Sequence, residues 1–107
     1  MILPGELETL RAIARAEPPA GLLPAETRHV LGVRWATRAH NENRTSAAFS
    51  EVSRCLEESG APAELVAVAQ RGTADEARHA RECALAAEYY GAEPTALAAP
   101  AAVPRAR

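Results

Sequence analysis

One segment decides the fold of this chain: SGAPAELVAVAQRGTADEARHARECALAAEYY, residues 59–90. It opens with a helix stop and restart, because Gly60 suits the position just after a helix and Pro62 suits the first turn of the next one. So short a connection makes the two flanking helices an antiparallel hairpin. The apolar residues that follow recur at helical spacing, so we predict a long helix from Pro62 to about Tyr90, ended by Gly91.

The segment before this turn predicts the other helix of the hairpin, from about Ala25 to Glu58, with Thr27 as its candidate N-cap. On a helical wheel one stripe collects the apolar residues together with a carboxylate: Leu31, Trp35, Glu42, Phe49, Val52, Ser53 and Leu56. This stripe and the one from Leu65 to Tyr90 expose more apolar surface than a monomer usually does. We therefore expect a homo-oligomer, a dimer or higher.

The rest of the chain divides into an arm and a tail. Residues 1–24 form an N-terminal arm with a short helix over residues 6–16, which a run of prolines ends. Residues 25–91 form the helical hairpin. Residues 92–107 are an Ala- and Pro-rich tail without apolar periodicity, which we predict to be disordered. The predicted fold class is all-α, a two-helix hairpin preceded by a short N-terminal helix.

Composition excludes several classes of function. Of the 107 residues 48% are hydrophobic but only 4% aromatic, so the core of a lone hairpin is thin. A net charge of -2 argues against binding to nucleic acid or to anionic membranes. No run approaches the roughly 20 apolar residues of a membrane span. The N-terminus does not resemble a secretion signal, and two cysteines form no disulfide framework, so we expect a cytoplasmic protein.

The pair Glu76-x-x-His79 lies where the second long helix should be apolar, and Glu42 lies on the apolar stripe of the first. A buried carboxylate or imidazole is costly unless something compensates it, and a metal ion does so directly. One hairpin points three ligands into one seam, and two hairpins supply four Glu and two His. That is the ligand set of dinuclear iron and manganese carboxylate bundles. The sequence therefore predicts Glu42, Glu76 and His79 as metal ligands shared between two chains.

These residues also carry a family resemblance. Its three features are a Glu seven residues before a Phe, a Gly-Ala-Pro turn and an Asp-Glu-x-x-His-Ala motif: Glu42 to Phe49, Gly60-Ala61-Pro62 and Asp75-Glu76-Ala77-Arg78-His79-Ala80. The stretch from Trp35 to Gly91 resembles the ferritin-like di-iron carboxylate family, in the two-helix form of encapsulated ferritins and bacterial ferritin-like domain proteins. The resemblance implies a four-helix bundle with Glu42, Glu76 and His79 as ligands. The usual four-helix chain has a second Glu and a second Glu-x-x-His, which this chain lacks, and encapsulated ferritins supply them by dimerising.

Other residues near these positions have alternative roles. Cys83 is one turn from His79, where it fits a small core residue but could hold zinc together with Glu76 and His79. Arg38 could pair with Glu42 or support it as a metal ligand. Three residues are predicted to face solvent: His29, His40 and Asp75. Three aromatic residues are predicted as core anchors: Trp35, Phe49 and Tyr90, of which Tyr90 could also relay an electron.

The leading functional hypothesis is a non-haem di-iron ferroxidase, oxidising Fe(II) to Fe(III) with O₂ or peroxide. Carboxylates and imidazoles suit iron or manganese better than a thiolate-bound metal, and zinc remains an alternative. One rival is a di-iron oxidase or oxygenase acting on a small molecule. A second rival is a non-catalytic half-bundle that binds a partner chain. The tail could contact a shell or partner protein, which would place the molecule inside a protein compartment.

Overall fold

The computed structural model describes residues 4–17, 19–94 and 96–97. This part of the chain is all-helical, and its elements in order are α1 (Pro4–Ala16), a 3-10 turn (Ala20–Leu22), α2 (Ala25–Glu58) and α3 (Ala63–Tyr89). The two long helices pack against each other, and α1 packs on α3. The predicted hairpin and the short N-terminal helix are confirmed, and the bounds of the long helices agree with the prediction to within one residue.

Glycine ends both long helices, as the sequence predicts. Gly60 has φ 76° and Gly91 has φ 90°, a left-handed conformation that side chains with a Cβ rarely adopt. Beyond each glycine the next amide donates back to the last turn of the helix: Ala61 N–H to the Leu56 carbonyl (3.0 Å) and Ala92 N–H to the Ala87 carbonyl (3.1 Å). Both ends are therefore Schellman motifs, which satisfy carbonyls that the helix itself leaves without a donor.

The helix starts differ from the prediction in one detail. Both long helices begin directly after a proline, Pro24 for α2 and Pro62 for α3, and neither has a side-chain cap. Thr27 lies inside the first turn of α2, so the prediction that it caps this helix is wrong. The backbone of Pro24 is already extended, with ψ 144°, so the chain enters the helix one turn earlier than an N-cap at Thr27 requires.

The seam between α2 and α3 is built from small residues. The buried residues of α2 recur every seven positions: Gly32, Ala39, Ser46 and Ser53. The buried residues of α3 are also mostly small, and they include Val66, Ala69, Ala80, Ala84 and Ala87. A seven-residue spacing keeps one line of a helix against its neighbour, as in coiled coils. Because the distance between packed helices depends on the side chains at the contact, these two helices approach closely.

The large apolar residues of α2 lie beside this seam. Phe49 is 36% exposed and Val52 is 50% exposed. Phe49 rests on Gly72 of α3, where an added Cβ would come within 2.7 Å of the ring. The prediction of Phe49 as a core anchor is wrong for the single chain, because two helices joined through Ala, Ser and Gly leave no room for an aromatic ring between them. Tyr90 is buried as predicted, and Trp35 packs against the edge of the core.

One end of the hairpin has a third layer, and we call it the closed end: α1, residues 25–42 of α2 and residues 79–90 of α3. Glu6 of α1 forms a bidentate ion pair with Arg81, with Nε–Oε1 at 2.6 Å. The Ala20 amide donates to the Tyr89 hydroxyl (3.3 Å). Leu85 lies one turn from both Arg81 and Tyr89 and is only 2% exposed. The side of α3 that faces away from α2 is therefore covered by α1.

Within the described residues the other end of the hairpin has only two helices, and we call it the open end: residues 49–58 of α2 and residues 63–72 of α3. Its large apolar side chains include Leu65 and Val68, which are 52% and 54% exposed. The first residues of the predicted tail return to the body, since Leu97 packs against the core residues Ala39, Cys83 and Ala84. The disorder predicted for the tail also concerns residues 95 and 98–107, which lie outside the described residues.

None of the helices in the part of the chain that the structure describes combines the length and the apolar character that crossing a membrane requires.

Candidate metal centre

The three predicted ligands come together in the structure. Glu42 projects from α2, and Glu76 and His79 project from successive turns of α3. One carboxylate oxygen of each glutamate and one imidazole nitrogen of His79 all lie within 4.8 Å of one another. His79 Nδ1 and Glu76 Oε1 lie 3.7 Å apart. Residues that are more than 30 positions apart in the sequence thus converge because the hairpin places the middle of α2 beside the middle of α3.

A hydrogen bond between the helices sets the register at this point. The buried Ser46 hydroxyl donates to the Thr73 carbonyl at 2.9 Å. Ser46 is one turn after Glu42, and Thr73 is one turn before Glu76, so the bond lies directly beside the three ligands. A shift of one helical turn would break this bond and would separate Glu42 from Glu76 by about 5.4 Å along the hairpin.

The ligands are less buried than the sequence suggested. The Glu76 side chain is 21% exposed, the His79 side chain is 47% exposed, and Glu42 is half-buried. The expectation that Glu76 and His79 are inside the apolar core therefore fails for a single chain. Two packed helices share only one narrow seam, so a residue at the edge of that seam faces solvent until another layer covers it.

The donor set fits a metal ion. Carboxylate oxygen and imidazole nitrogen bind zinc, iron and manganese in proteins, with bonds of roughly 2.0–2.2 Å in the case of zinc. Two donors of one tetrahedral ion with such bonds are about 3.4 Å apart. Donors that already lie within 4.8 Å of one another need only small side-chain rotations to reach that distance. One chain supplies three such donors, which leaves coordination positions for ligands from elsewhere.

Cys83 is separate from this cluster. Its side chain is buried, and it does not belong to the group of donors that converge within the described residues. Burial raises the pKa of the Cys83 thiol, and the nearby Glu42 and Glu82 act in the same direction, while Arg38 opposes them. In the metal-free chain this environment favours the thiol over the thiolate, which is the form that binds metal. Cys83 occupies the core position that the sequence also allowed.

Arg38 does not pair with Glu42. Its guanidinium lies over the ring of Trp35, 4.8 Å from the ring centre, in a cation–π contact. Within the described part of the chain, no carboxylate approaches the Arg38 nitrogens within 4.0 Å. This geometry leaves the Glu42 carboxylate directed at Glu76 and His79.

Three further residues that the sequence predicts to face solvent do so in the structure. His29, His40 and Asp75 are exposed. Asp75 forms an ion pair with Arg78 at 3.2 Å on the outer side of α3. Neither histidine belongs to the converging group, so among the described residues one chain places a single imidazole, that of His79, in the cluster.

Sequence reasoning missed a cavity next to the ligands. Its volume is about 560 Å³, and all three helices line it. The lining residues are Thr9, Ala12, Ile13 and Ala16 of α1 with Glu17 just after it, Trp35, Arg38 and Glu42 of α2, and His79, Glu82, Cys83 and Ala86 of α3. Two of the three ligands, Glu42 and His79, therefore line it. The apolar spacing of Ile13 and its neighbours indicated that α1 packs on something, but the sequence contains no signal for where it packs.

Comparison of this chain with protein-family models, with curated proteins and with solved structures finds no match. The likeness to ferritin-like proteins accordingly rests on the residues of this chain alone.

Proposed function

We propose that this chain is one half of a ferritin-like di-iron protein, in which two copies share a dinuclear site and oxidise Fe(II) to Fe(III). The observation that carries the proposal is the convergence of Glu42, Glu76 and His79 within 4.8 Å on an antiparallel hairpin. Both the residue types and their distribution, one Glu on one helix and Glu-x-x-His on the other, are those of half a carboxylate-bridged site.

The surface beside the ligands supports a second copy as the missing half. At about 100° per residue, Phe49 lies within about 20° of Glu42 around α2, and Leu65 lies within about 20° of Glu76 around α3. The exposed apolar side chains of the open end thus project in nearly the same direction as the ligands. Burying this surface under a second hairpin would complete a four-helix bundle and remove the half-exposed ligands from water in one step.

The chemistry follows from the ligand count. A dimer offers four carboxylates and two imidazoles, enough to hold two ferrous ions close together as substrates. Two Fe(II) ions provide two electrons, and one O₂ accepts them with two protons, which yields two Fe(III) ions and one hydrogen peroxide. Carboxylates can change between terminal and bridging contacts, so Glu42 and Glu76 are suited to follow the increase in charge.

The proposal is tested by loading the protein with Fe(II) without oxygen and then admitting air. We expect one Fe(II) per chain and a near-UV ferric absorbance band. Glu76→Ala and His79→Ala should lose both the binding and the band. The matched controls are Asp75→Ala and His40→Ala, which remove an exposed carboxylate and an exposed imidazole outside the cluster. Both controls should oxidise iron like the wild type.

If Glu76→Ala and His79→Ala oxidise iron at the wild-type rate, the ferroxidase assignment is wrong. The mass in solution tests the shared site separately, and we expect a dimer or a multiple of it. Removing iron with a chelator should lower the melting temperature by at least about 5 °C, because a metal held between chains stabilises the folded dimer. A monomer that binds iron only after another protein is added would favour a heterologous partner instead.

A further inference from the structure

The face of the hairpin that carries the ligands continues under α1. Residues spaced seven apart are displaced by only about 20° around a helix, so they form one line along it. Two such lines contain the ligands Glu42 and His79. They are Trp35, Glu42 and Phe49 on α2, and Leu65, Gly72, His79 and Ala86 on α3. We call these two lines the ligand face, and it extends from the open end to the closed end.

The two halves of the ligand face differ in what covers them. At the open end, Phe49 and Leu65 are 36% and 52% exposed. At the closed end, Trp35 and Ala86 line the cavity of about 560 Å³ together with Ile13 of α1, and Ala86 is 3% exposed. In the single chain α1 therefore covers the closed-end half of the ligand face.

A second copy that shares the metal site must reach this covered half. In a dimer with two-fold symmetry both copies present the same face, and a shared site places the symmetry axis next to the ligands. These lie at the junction of the two ends. An axis along the helices sets closed end opposite closed end, whereas an axis across them sets closed end opposite open end. In either arrangement the helices of the second copy need the space that α1 occupies.

The attachment of α1 is suited to release. None of residues 5–16 is buried, although α1 packs on α3. Glu6 pairs with Arg81, whose side chain is 42% exposed, and Glu17 just after the helix accepts a hydrogen bond from Tyr90. Because a cavity lies under α1 where a core would have packed side chains, few dispersion contacts hold the helix. Release uncovers Leu85, which explains why α1 stays docked in the single chain.

We propose that α1 is a removable cover of the ligand face, and that a second copy displaces it when the four-helix bundle forms. The inference rests on the proposed shared site and adds the surface through which the two copies meet. With α1 docked the chain is autoinhibited, since only the open-end half of the ligand face is free. Two chains each release one α1, so weakening its docking by a given factor tightens the dimer by the square of that factor.

Hydrogen exchange followed by mass spectrometry tests the release directly. A helix of 13 residues without tertiary contacts is marginal in water, so the amides of residues 8–16 should exchange at least about tenfold faster once α1 is released. We would compare dilute metal-free protein with concentrated protein loaded with Fe(II) in the absence of oxygen. The amides of α1 should lose protection in the dimer, while those near Phe49 should gain it. Equal or higher protection of α1 in the dimer would overturn the inference and leave the shared site standing.

A variant of the full chain tests the competition between α1 and the second copy. Glu6→Gln removes the ion pair with Arg81 and should lower the dissociation constant of the dimer at least about threefold, which is the square of the small factor that a half-exposed ion pair contributes. The matched control is Glu8→Gln, because Glu8 pairs with Arg11 within α1 and is 70% exposed. It should leave the dissociation constant unchanged. Sedimentation equilibrium measures both, and an equal change in the two variants would contradict the inference.

The converse experiment holds α1 in place. In a Cys55→Ser background, which removes the exposed cysteine, Glu6→Cys and Arg81→Cys can be joined by a short bis-maleimide that contains a cleavable disulfide. Arg81 lies about 160° from His79 around α3, so the reagent itself does not cover the ligand face. The joined chain should remain monomeric, and reductive cleavage should restore the dimer.

The outcomes separate this inference from the proposed function. A joined chain that still dimerises would show that α1 is no obstacle and would overturn the inference. Dimers that release α1 but do not oxidise iron would leave the inference standing and refute the ferroxidase assignment. A chain that stays monomeric even in Glu6→Gln, with Fe(II) bound, would refute both.

Discussion

At both ends of the hairpin the two long helices meet in a seam of small residues, but the two ends differ in whether a third layer covers the helices. At the closed end, α1 covers the outer side of α3, so Leu85 is 2% exposed. At the open end nothing within the described residues covers the helices, so Leu65, the same residue type on the same helix, is 52% exposed. The candidate metal ligands lie at the junction between the two ends. A two-helix seam of small residues therefore does not bury large side chains by itself, and a third layer decides which of them become core.

This difference also distinguishes the end that stabilises a single chain from the end that we expect to bind a partner. The closed end has the layers that a small core needs, and its contacts are apolar, ionic and hydrogen-bonded. The open end exposes apolar side chains in line with half a ligand set. Stability of the monomer should come mainly from the closed end, and assembly should come mainly from the open end.

The largest expected effect compares two leucines of α3. Leu85→Ala should lower the free energy of unfolding by roughly 2–5 kcal/mol, because it leaves a cavity in a buried site. Leu65→Ala should cost less than about 1 kcal/mol at protein concentrations low enough to keep the chain monomeric. Urea denaturation of both variants measures the difference. Equal costs would mean that the two ends are not distinguished by the cover that α1 provides.

The next prediction concerns assembly through the open end. Val68→Glu should raise the dissociation constant of the dimer at least about 100-fold, because an unpaired carboxylate buried in an interface costs roughly 3 kcal/mol or more. Val33→Glu is the matched control, since Val33 is similarly exposed, at 52% against 54%, but lies about 180° from Glu42 around α2. Sedimentation equilibrium would measure both constants. A dimer that survives Val68→Glu but not Val33→Glu would place the interface on the opposite face.

The smallest expected effect is a pH dependence confined to the closed end. Burial and the hydrogen bond to Glu17 raise the pKa of Tyr90 to about 12, above the value of about 10 for an unfolded tyrosine. The folded state thus favours the protonated hydroxyl. Its contribution to stability is complete below pH 10 and is lost as the pH rises from about 10 to about 12. Wild type should be more stable than Tyr90→Phe below pH 10, and this advantage should shrink across that interval.

The ionisation itself can be followed by absorbance at 295 nm in a Tyr89→Phe background, in which Tyr90 is the only tyrosine. It should titrate near pH 12 in the folded protein and near pH 10 in urea. Titration near pH 10 in both states would mean that the contact between Glu17 and Tyr90 does not hold α1 on α3.

Local sequence signals predicted the helices well. The glycines at positions 60 and 91 and the prolines at positions 24 and 62 act on the backbone within a few residues, so the helix bounds could be predicted without knowledge of the rest of the fold. The convergence of Glu42 with Glu76 was also predictable, because a short turn makes two helices antiparallel and places residues equally distant from it side by side. Phe49 was not predictable in this way. A helical wheel identifies an apolar side but cannot tell whether small or large residues will meet the neighbouring helix.

By itself, then, the sequence determined that this chain is an α-helical hairpin carrying one glutamate on one helix and Glu-x-x-His on the other. These features depend on backbone preferences and on helical periodicity, which are local. Only the tertiary structure decided that a seam of Gly, Ala and Ser joins the helices, that α1 covers one end and not the other, and that a cavity with Arg38 in its wall remains beside the ligands. Those features depend on the distance between helices and on the anchoring of α1 by Glu6 and Glu17, which are set by contacts between residues far apart in the chain.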